Sequence, residues 1–509
     1  MTLGVLLQEF ADRSGVSVPP LEASAGTPVS SIAYDSRKAR AGSVFVALRG
    51  VNADGTGFAR EAIGRGAIAT LSESAAPADV SAPWVQVPDA RLALAALSAI
   101  FHDDPSERLI LVGITGTNGK TTTSYLLGSI FEAAGIQCGR IGTVGYRIGR
   151  KEVEAERTTP EAPELQAMLR EMVNQGCGAC VMEVSSHALA LKRVDFLRFS
   201  AAIFTNLTRD HLDFHRNMDD YFAAKRRLFA LLPEQAVAVV NLDDRRGAEL
   251  TGIASRTVSY AIDAAADVVA VDLRSSLDGL SFEARTPRGS LPIASRMVGR
   301  ANAYNILAAV AAAVAIDLPL AAIEAGIARL HAVPGRFQLV SDSRDDVRVV
   351  VDYAHTDDAL KNLLETARPL ASGRIITVFG CGGDRDRTKR PLMGAVAARL
   401  SDIVVVTSDN PRSENPADIL EQIKRGIVSP DDRGVRPRGS QRDVRCLTIV
   451  DRKEAIERVV REANPGDLIL IAGKRHEKSQ VIGARVLPFD DGDVARAALE
   501  RRRAGSRVC

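Results

Sequence analysis

Residues 113–123 read G-I-T-G-T-N-G-K-T-T-T and follow an apolar run at 109–112. An apolar strand that breaks into a glycine-rich loop and then opens a helix at Thr121 offers backbone N–H groups, a helix N-terminus and the Lys120 ammonium to a polyphosphate. The chemistry this suits is nucleoside triphosphate binding, with Gly116, Thr117, Asn118, Gly119, Lys120, Thr121 and Thr122 as the contacts. Only two residues separate Gly116 from Gly119, and position 114 is Ile. The spacing therefore departs from the common G-x-x-x-x-G-K-[ST] and implies a different phosphate-loop lineage. A ligand-free turn would leave Lys120 and the three threonines after it without a reason.

Further polar groups cluster just past strand ends. Glu183, Ser185, Ser186 and His187 end one apolar run, and Asn206, Asp210, His211 and Asp213 follow the next in T-N-L-T-R-D-H-L-D-F-H. Each alone reads as a helix cap or a loop residue. A carboxylate (Glu183), an imidazole (His211) and the Thr121 hydroxyl arriving at one sheet edge beside a phosphate loop suit Mg²⁺, which takes a few protein oxygens and keeps phosphates in its shell. Lys225, in Y-F-A-A-K-R-R-L-F, stands next to Arg226 and Arg227 and reads as surface charge. In Asp409-Asn410-Pro411-Arg412 the proline rigidifies a turn, and the guanidinium can grip a carboxylate in bidentate fashion.

These residues need sheets to carry them. At 509 residues the chain exceeds one core, and domains of about 100 to 200 residues predict three. Residues 1–105, with strand-like runs at 43–48 and 84–87 and a helix at 91–101, read as a small α/β domain ending at D-D-P. In 106–332, strands (109–114, 179–184, 201–205, 236–241) alternate with helices (121–134, 221–232), predicting a mostly parallel, P-loop-type sheet. A β-rich insert at 257–297 and an Ala-rich helix at 305–315 follow. Residues 333–509, entered through Val333-Pro334-Gly335, resemble a doubly wound, Rossmann-like sheet, with G-C-G-G-D (380–384) at a strand's carboxyl end, where ligands bind in such folds.

A 46% hydrophobic, 25% charged composition is ordinary for a soluble globular protein, and a net charge of +2 gives no reason to expect a nucleic acid. The Arg501–Arg503 cluster reads as a solvated helix end. No run approaches the roughly 20 apolar residues of a membrane span, and residues 1–10 lack signal-peptide character, so a cytoplasmic protein is expected. Six scattered cysteines suit reduced thiols; Cys177-x-x-Cys180 has no second pair at zinc spacing. A monomer is the expectation.

Taken together, T-G-T-N-G-K-T, E-V-S-S-H, T-N-L-T-R-D-H-L-D-F-H, Y-x-x-A-K, D-Y-A-H-T, F-G-C-G-G-D-R-D-R-T-K-R-P-L-M-G, S-D-N-P-R and A-G-K-R-H-E resemble the Mur ligase family of peptidoglycan synthesis, from Asp35-Ser36-Arg37 to Glu477. The nearest members are those that add meso-diaminopimelate to UDP-N-acetylmuramoyl-L-alanyl-D-glutamate. The resemblance implies ATP-dependent amide formation with Lys120, Glu183, His211 and Lys225 as catalytic residues. It also implies that Lys225 is carbamylated and holds Mg²⁺ with Thr121, Glu183 and His211. Asn305, Arg336, Asp352 and His355 would complete the ATP site. The UDP substrate would meet Tyr34, Ser36, Val51, Asn52, Ala53, Thr158, Thr159, Ser185, Leu191 and Arg193. The amino acid would meet Arg390, Asp409, Asn410, Pro411, Arg412, Gly473 and Glu477. Several positions depart from the family pattern: Leu191 where Gln is frequent, Arg157 for Asn, Gln338 for Glu, Asp357 for Pro and Arg475 for Gly. A lysine-adding relative and a catalytically silent nucleotide-binding scaffold are the alternatives.

Overall fold

The computed structural model describes residues 1–50, 54–80, 82–428, 444–474, 479–483 and 485–506. Three large sheets organise the described residues. The first has four parallel strands, in the order Ser31–Ala33, Ser43–Ala47, Ala67–Ser72, Trp84–Gln86. Helix Leu3–Ser14 is capped by the Thr2 hydroxyl and stopped by Gly15, whose φ of 68° lies where glycine is least strained. Its apolar stripe, Leu3, Leu6, Leu7 and Phe10, packs on the sheet with helix Ala90–Phe101.

The second sheet has eleven strands. Its centre is parallel, in the order Arg256–Ala261, Val237–Asn241, Ala201–Phe204, Ile110–Thr115, Ala179–Glu183, Cys138–Ile141. Helices Lys120–Ala133, Arg300–Ala315 and Leu320–Arg329 cover one face, and Ala162–Asn174 and Met218–Ala230 cover the other. Burial on both faces explains why the central strands are continuous apolar runs rather than alternating ones. The residues expected to form a β-rich insert instead extend this sheet. Val268–Ser276 pairs parallel with Arg256–Ala261, and Gly279–Thr286 and Gly289–Ser295 continue antiparallel. The outward pairing groups at the end of Arg256–Ala261 thereby find partners within the same sheet.

The third sheet runs Gln338–Leu339, Arg348–Asp352, Leu468–Ala472, Ile375–Phe379, Ile403–Val406, Arg445–Thr448, parallel except for the first pair. Helices lie on both faces, as the doubly wound reading expects. The described residues are therefore α/β with three large sheets, and the antiparallel pair Ser479–Ile482 and Arg485–Pro488 forms a fourth, two-stranded one. Arg502 and Arg503 correct the reading of a solvated helix end: they pair with Asp346 and with Asp342 and Asp345, fastening the last helix, Asp491–Ser506, to the segment before strand Arg348–Asp352. Arg501 pairs with Glu457 of the neighbouring helix and stays largely exposed. Among the described residues no helix is long and apolar enough to cross a membrane, and Cys138, Cys177, Cys180 and Cys381 are buried free thiols.

Candidate functional site

Strand Ile110–Thr115 delivers the loop expected to hold phosphate, and two of its glycines are obligatory. Gly116 (φ 140°) and Gly119 (φ 91°) adopt backbone that side chains avoid, and a Cβ would overlap the Thr205 hydroxyl at the first and the Asn305 side-chain oxygen at the second. Residues after the neighbouring strand clasp the loop. The Asn118 N–H donates to Asn206 Oδ1 (2.9 Å), the Thr117 N–H to the Asn206 carbonyl (2.8 Å), and the Thr205 hydroxyl to the Asn118 carbonyl (2.6 Å).

Lys120 opens the helix Lys120–Ala133, and its Nζ donates to the carbonyls of Gly116 and Thr117, each at 2.8 Å. Lys225 reaches the same Gly116 carbonyl at 2.8 Å, above the Tyr221 ring. The surface-charge reading of Lys225 is thus wrong: the residue is 1% exposed. The signal was present, because Tyr221, Lys225 and Leu228 fall at helical spacing on the face that Met218–Ala230 buries. Burial holds the Lys225 amine well below the usual lysine range, and the Lys120 charge pushes it the same way. Lys120 is lowered too, by burial, against the attraction of Glu183 and Asp210.

Glu183 ends its strand with its carboxylate buried, accepting from the Thr143 N–H (2.9 Å) and the Thr143 hydroxyl (3.0 Å). Thr143 gave no sequence signal; it also meets the Thr158 hydroxyl at 3.0 Å. His211 sits at φ 54°, edge-on to His187 with ring centroids 4.9 Å apart. Burial lowers its imidazole, and Lys120 and Lys225 act in the same sense. Among the described residues no three His, Cys, Asp or Glu side chains are grouped to hold a metal by themselves. The donors at this edge are hard oxygens, Glu183 and Thr121, which suit a cation that retains phosphate and water ligands.

Two cavities open along this edge. The first, of about 130 Å³, is walled by Asn118, Gly119, Thr121, Thr122 and Asn305 on the central-sheet side and by Arg336 and Asp352 on the other. Arg336 donates to the Thr121 hydroxyl (3.3 Å) and lies over the Tyr353 ring. The Asp352 carboxylate accepts from the N–H groups of Phe337 (2.7 Å) and Ala354 (2.8 Å), while burial raises its pKa. Seven of the residues expected to bind ATP therefore share one cavity. His355 does not line it. It faces the second cavity, of about 150 Å³, together with His211, Asp409, Asn410, Arg412 and Gly473.

Arg412 (φ 52°) lines that second cavity and donates to the Gly383 carbonyl at 2.6 Å. The Gly383 N–H returns a bond to the Asn410 carbonyl (2.9 Å), so the G-C-G-G-D and D-N-P-R segments brace each other around Pro411. Arg390 is not on the cavity wall. It is fully buried, forked onto Glu414 at 2.9 and 3.0 Å, and bonded to Gln422 (2.8 Å) and the Gly382 carbonyl (3.1 Å). The pairing holds the Glu414 carboxyl down at about 2. Sequence reasoning missed Glu414, two residues past the D-N-P-R motif.

The residues expected to meet the UDP substrate form two groups. The Tyr34 hydroxyl donates to Glu164 (3.0 Å), bridging the first sheet and the central one, and the Ser36 hydroxyl donates to Glu61 (2.8 Å). The Thr159 hydroxyl donates to the Glu183 carbonyl (2.8 Å), and Arg193 reaches the Thr159 carbonyl (3.1 Å) and Glu161 (2.7 Å). Ser185 caps the helix Ser186–Ala190, which ends at Leu191. Val51, Asn52, Ala53, Arg475 and Glu477 lie outside the described residues.

Residues 28–102 match the family described as Mur ligase family, catalytic domain; 114–313 match the Mur ligase middle domain; and 335–475 match the Mur ligase, glutamate ligase domain. A UDP-N-acetylmuramoyl-L-alanyl-D-glutamate–2,6-diaminopimelate ligase of Geobacter sulfurreducens is 47% identical over 482 residues, covering 92% of this chain and 94% of its own. One of the same name from Solibacter usitatus is 46% identical over 506 residues, 98% of each chain. A solved structure of a protein of that name superposes with a TM-score of 0.69 at 33% identity, covering 99% of both chains. Three matched segments in order and similarity along nearly the whole length, on a structure whose phosphate-loop edge faces the third sheet across two cavities, lead to one assignment: the chain belongs to the Mur ligase family.

Proposed function

We propose that this chain joins meso-diaminopimelate to UDP-N-acetylmuramoyl-L-alanyl-D-glutamate at the expense of ATP, as an enzyme of peptidoglycan precursor synthesis. The observation that carries the reading is the second cavity, whose wall includes His211 from the phosphate edge and Asn410, Arg412 and Gly473 from the third sheet. A carboxylate activated on one side is thereby within reach of an amine held on the other. The names of the relatives supply the substrates.

In this reading the triphosphate lies along residues 116–122, with Lys120 turning from the carbonyls it now meets toward the phosphoryl oxygens. The D-glutamyl carboxylate attacks the γ-phosphorus and ADP leaves. The amine of diaminopimelate then attacks the acyl phosphate, loses a proton and expels phosphate. Thr121, Glu183, His211 and a carbamylated Lys225 would hold Mg²⁺, which supplies further neutralisation of phosphoryl charge. Lys225 is suited to carbamylation because burial beside Lys120 favours the neutral amine, the form that adds carbon dioxide. Arg412 grips the distal carboxylate that meso-diaminopimelate has and lysine lacks, and Arg390 supports the pocket from beneath through Glu414. The ATP and UDP-sugar substrates, rather than any feature of the chain, favour a cytoplasmic setting.

The test is incubation of the purified protein with ATP, Mg²⁺, the UDP-muramyl dipeptide and either meso-diaminopimelate or L-lysine, with phosphate release measured and the product weighed by mass spectrometry. A product heavier by one diaminopimelate residue is expected. Lysine incorporation at equal efficiency would replace the reading with that of a lysine-adding relative, and phosphate release with neither would leave only a nucleotide-binding protein.

A further inference from the structure

Behind the third-sheet side of the second cavity lies an ion pair with no part in the reaction as proposed. Arg452 begins the helix Arg452–Glu462, Asp491 begins Asp491–Ser506, and their side chains are 0% and 4% exposed. Arg452 Nε and Nη2 donate to the two Asp491 oxygens at 2.8 and 2.7 Å. The guanidinium reaches further: Nη2 donates to the Ala472 carbonyl (3.0 Å) and Nη1 to the Ser408 carbonyl (3.5 Å).

Those two carbonyls belong to the residues just before Gly473 and Asp409. One side chain therefore holds both strand ends from which the cavity walls continue. Strand Ile375–Phe379 runs between them and ends at Gly380. A Cβ on Gly380 would overlap the Thr407 carbonyl, and one on Gly473 would stand 2.7 Å from the Gly380 carbonyl. The three strand ends thus touch backbone to backbone, and the Arg452 fork ties the outer two. Stability alone is a weak reason for such a pair, since apolar residues of similar volume often serve a core as well.

We propose that Arg452, fixed by Asp491, is a positioning residue for the incoming amino acid: it sets the spacing between the Asp409–Arg412 turn and Gly473, the two walls that receive it. The inference rests on the function proposed above. A site held by such a shell loses binding when its walls shift by about an ångström, on the order of tenfold or more.

The experiment compares the full-length parent with Arg452→Lys, which keeps the charge, and Arg452→Met, which removes it. Measurements are KM for diaminopimelate, ATP and the UDP-dipeptide, and hydrogen exchange of residues 407–412, 471–474 and 115–121. Expected are a diaminopimelate KM raised roughly tenfold or more in both variants, the other two KM values within about threefold, and faster exchange at 407–412 and 471–474 only. Unchanged KM values and exchange would overturn the proposal. So would a parallel rise of all three KM values with exchange loosened at 115–121, which marks general support. Should the parent itself not use diaminopimelate, the functional reading falls and exchange alone decides whether Arg452 ties the two walls.

Discussion

Substituting Gly119 by alanine isolates the geometry of the phosphate loop from its charge. At φ 91° and ψ −17° the residue is in left-handed backbone, which costs a side chain about 1–2 kcal/mol. The added Cβ would overlap the Asn305 side-chain oxygen, and Asn305 is buried with its amide donating to Asn302 at 3.1 Å. Moving it forfeits a hydrogen bond of about 0.5–1.5 kcal/mol. The unliganded loop can relax away from both strains, so the cost of about 2–3 kcal/mol returns when nucleotide demands the native shape. ADP affinity should then fall roughly 30- to 150-fold, at about 1.4 kcal/mol per tenfold, as read by titration calorimetry. Gly128 is the control. It lies inside the same helix, Lys120–Ala133, where an added methyl would meet nothing within 4 Å, so Gly128→Ala should stabilise by about 0.5–1 kcal/mol and leave affinity alone. A Gly119→Ala protein that binds ADP within about threefold of the parent would refute the claim that this backbone shape makes the site.

Lys225→Ala should lose nearly all turnover and regain part of it when a short carboxylate such as acetate is added; full activity without rescue removes the carbamate from the account. Arg412→Ala should lose kcat/KM for meso-diaminopimelate by about 2–5 kcal/mol while use of lysine changes far less, and equal losses for both amino acids would make Arg412 a support rather than a grip. For pH, burial holds His187 down at about 4 in the fold, against about 6.5 when exposed. The unfolded chain takes its proton first, so the stability carried by neutral His187 is intact above pH 6.5 and drains as pH falls toward 4. The Tm of His187→Gln should fall less steeply than the parent's over that window, and identical slopes would show that His187 does not titrate there.

Sequence was most informative where one backbone feature demands one residue type. The phosphate loop is of that kind: Gly116 and Gly119 are required by positive φ and close contact, and Lys120 by position at a helix start. The parallel strands were visible as unbroken apolar runs. The edge of the central sheet was not, because whether strands 268–295 join a sheet or stand apart depends on a pairing partner far from any local pattern. Lys225 and Arg390 show the same limit for single residues. Flanking charges made Lys225 look solvated although its helix buries that face, and Arg390 looked like a ligand contact until Glu414 was found beneath it. A charged side chain states what it can pair with; the fold decides which partner arrives.

The two cavities are not independent. Asp352 lines the first and His355 the second, and only two residues separate them in D-Y-A-H. The segment is held stiffly: Asp352 accepts from the Ala354 N–H at 2.8 Å, Arg336 and His355 both pack on Tyr353, and Lys389, which also lines the second cavity, donates to the His355 carbonyl at 2.8 Å. Arg336 in turn touches the Thr121 hydroxyl at the mouth of the phosphate loop. A nucleotide that drew Arg336 and Asp352 toward the loop would carry His355 and Lys389 with it through these contacts. In the function proposed above, a binding event that orders a shared wall lowers the cost of the next, so the diaminopimelate affinity is expected to be higher with nucleotide bound than without, and equal affinities by titration calorimetry would refute the coupling.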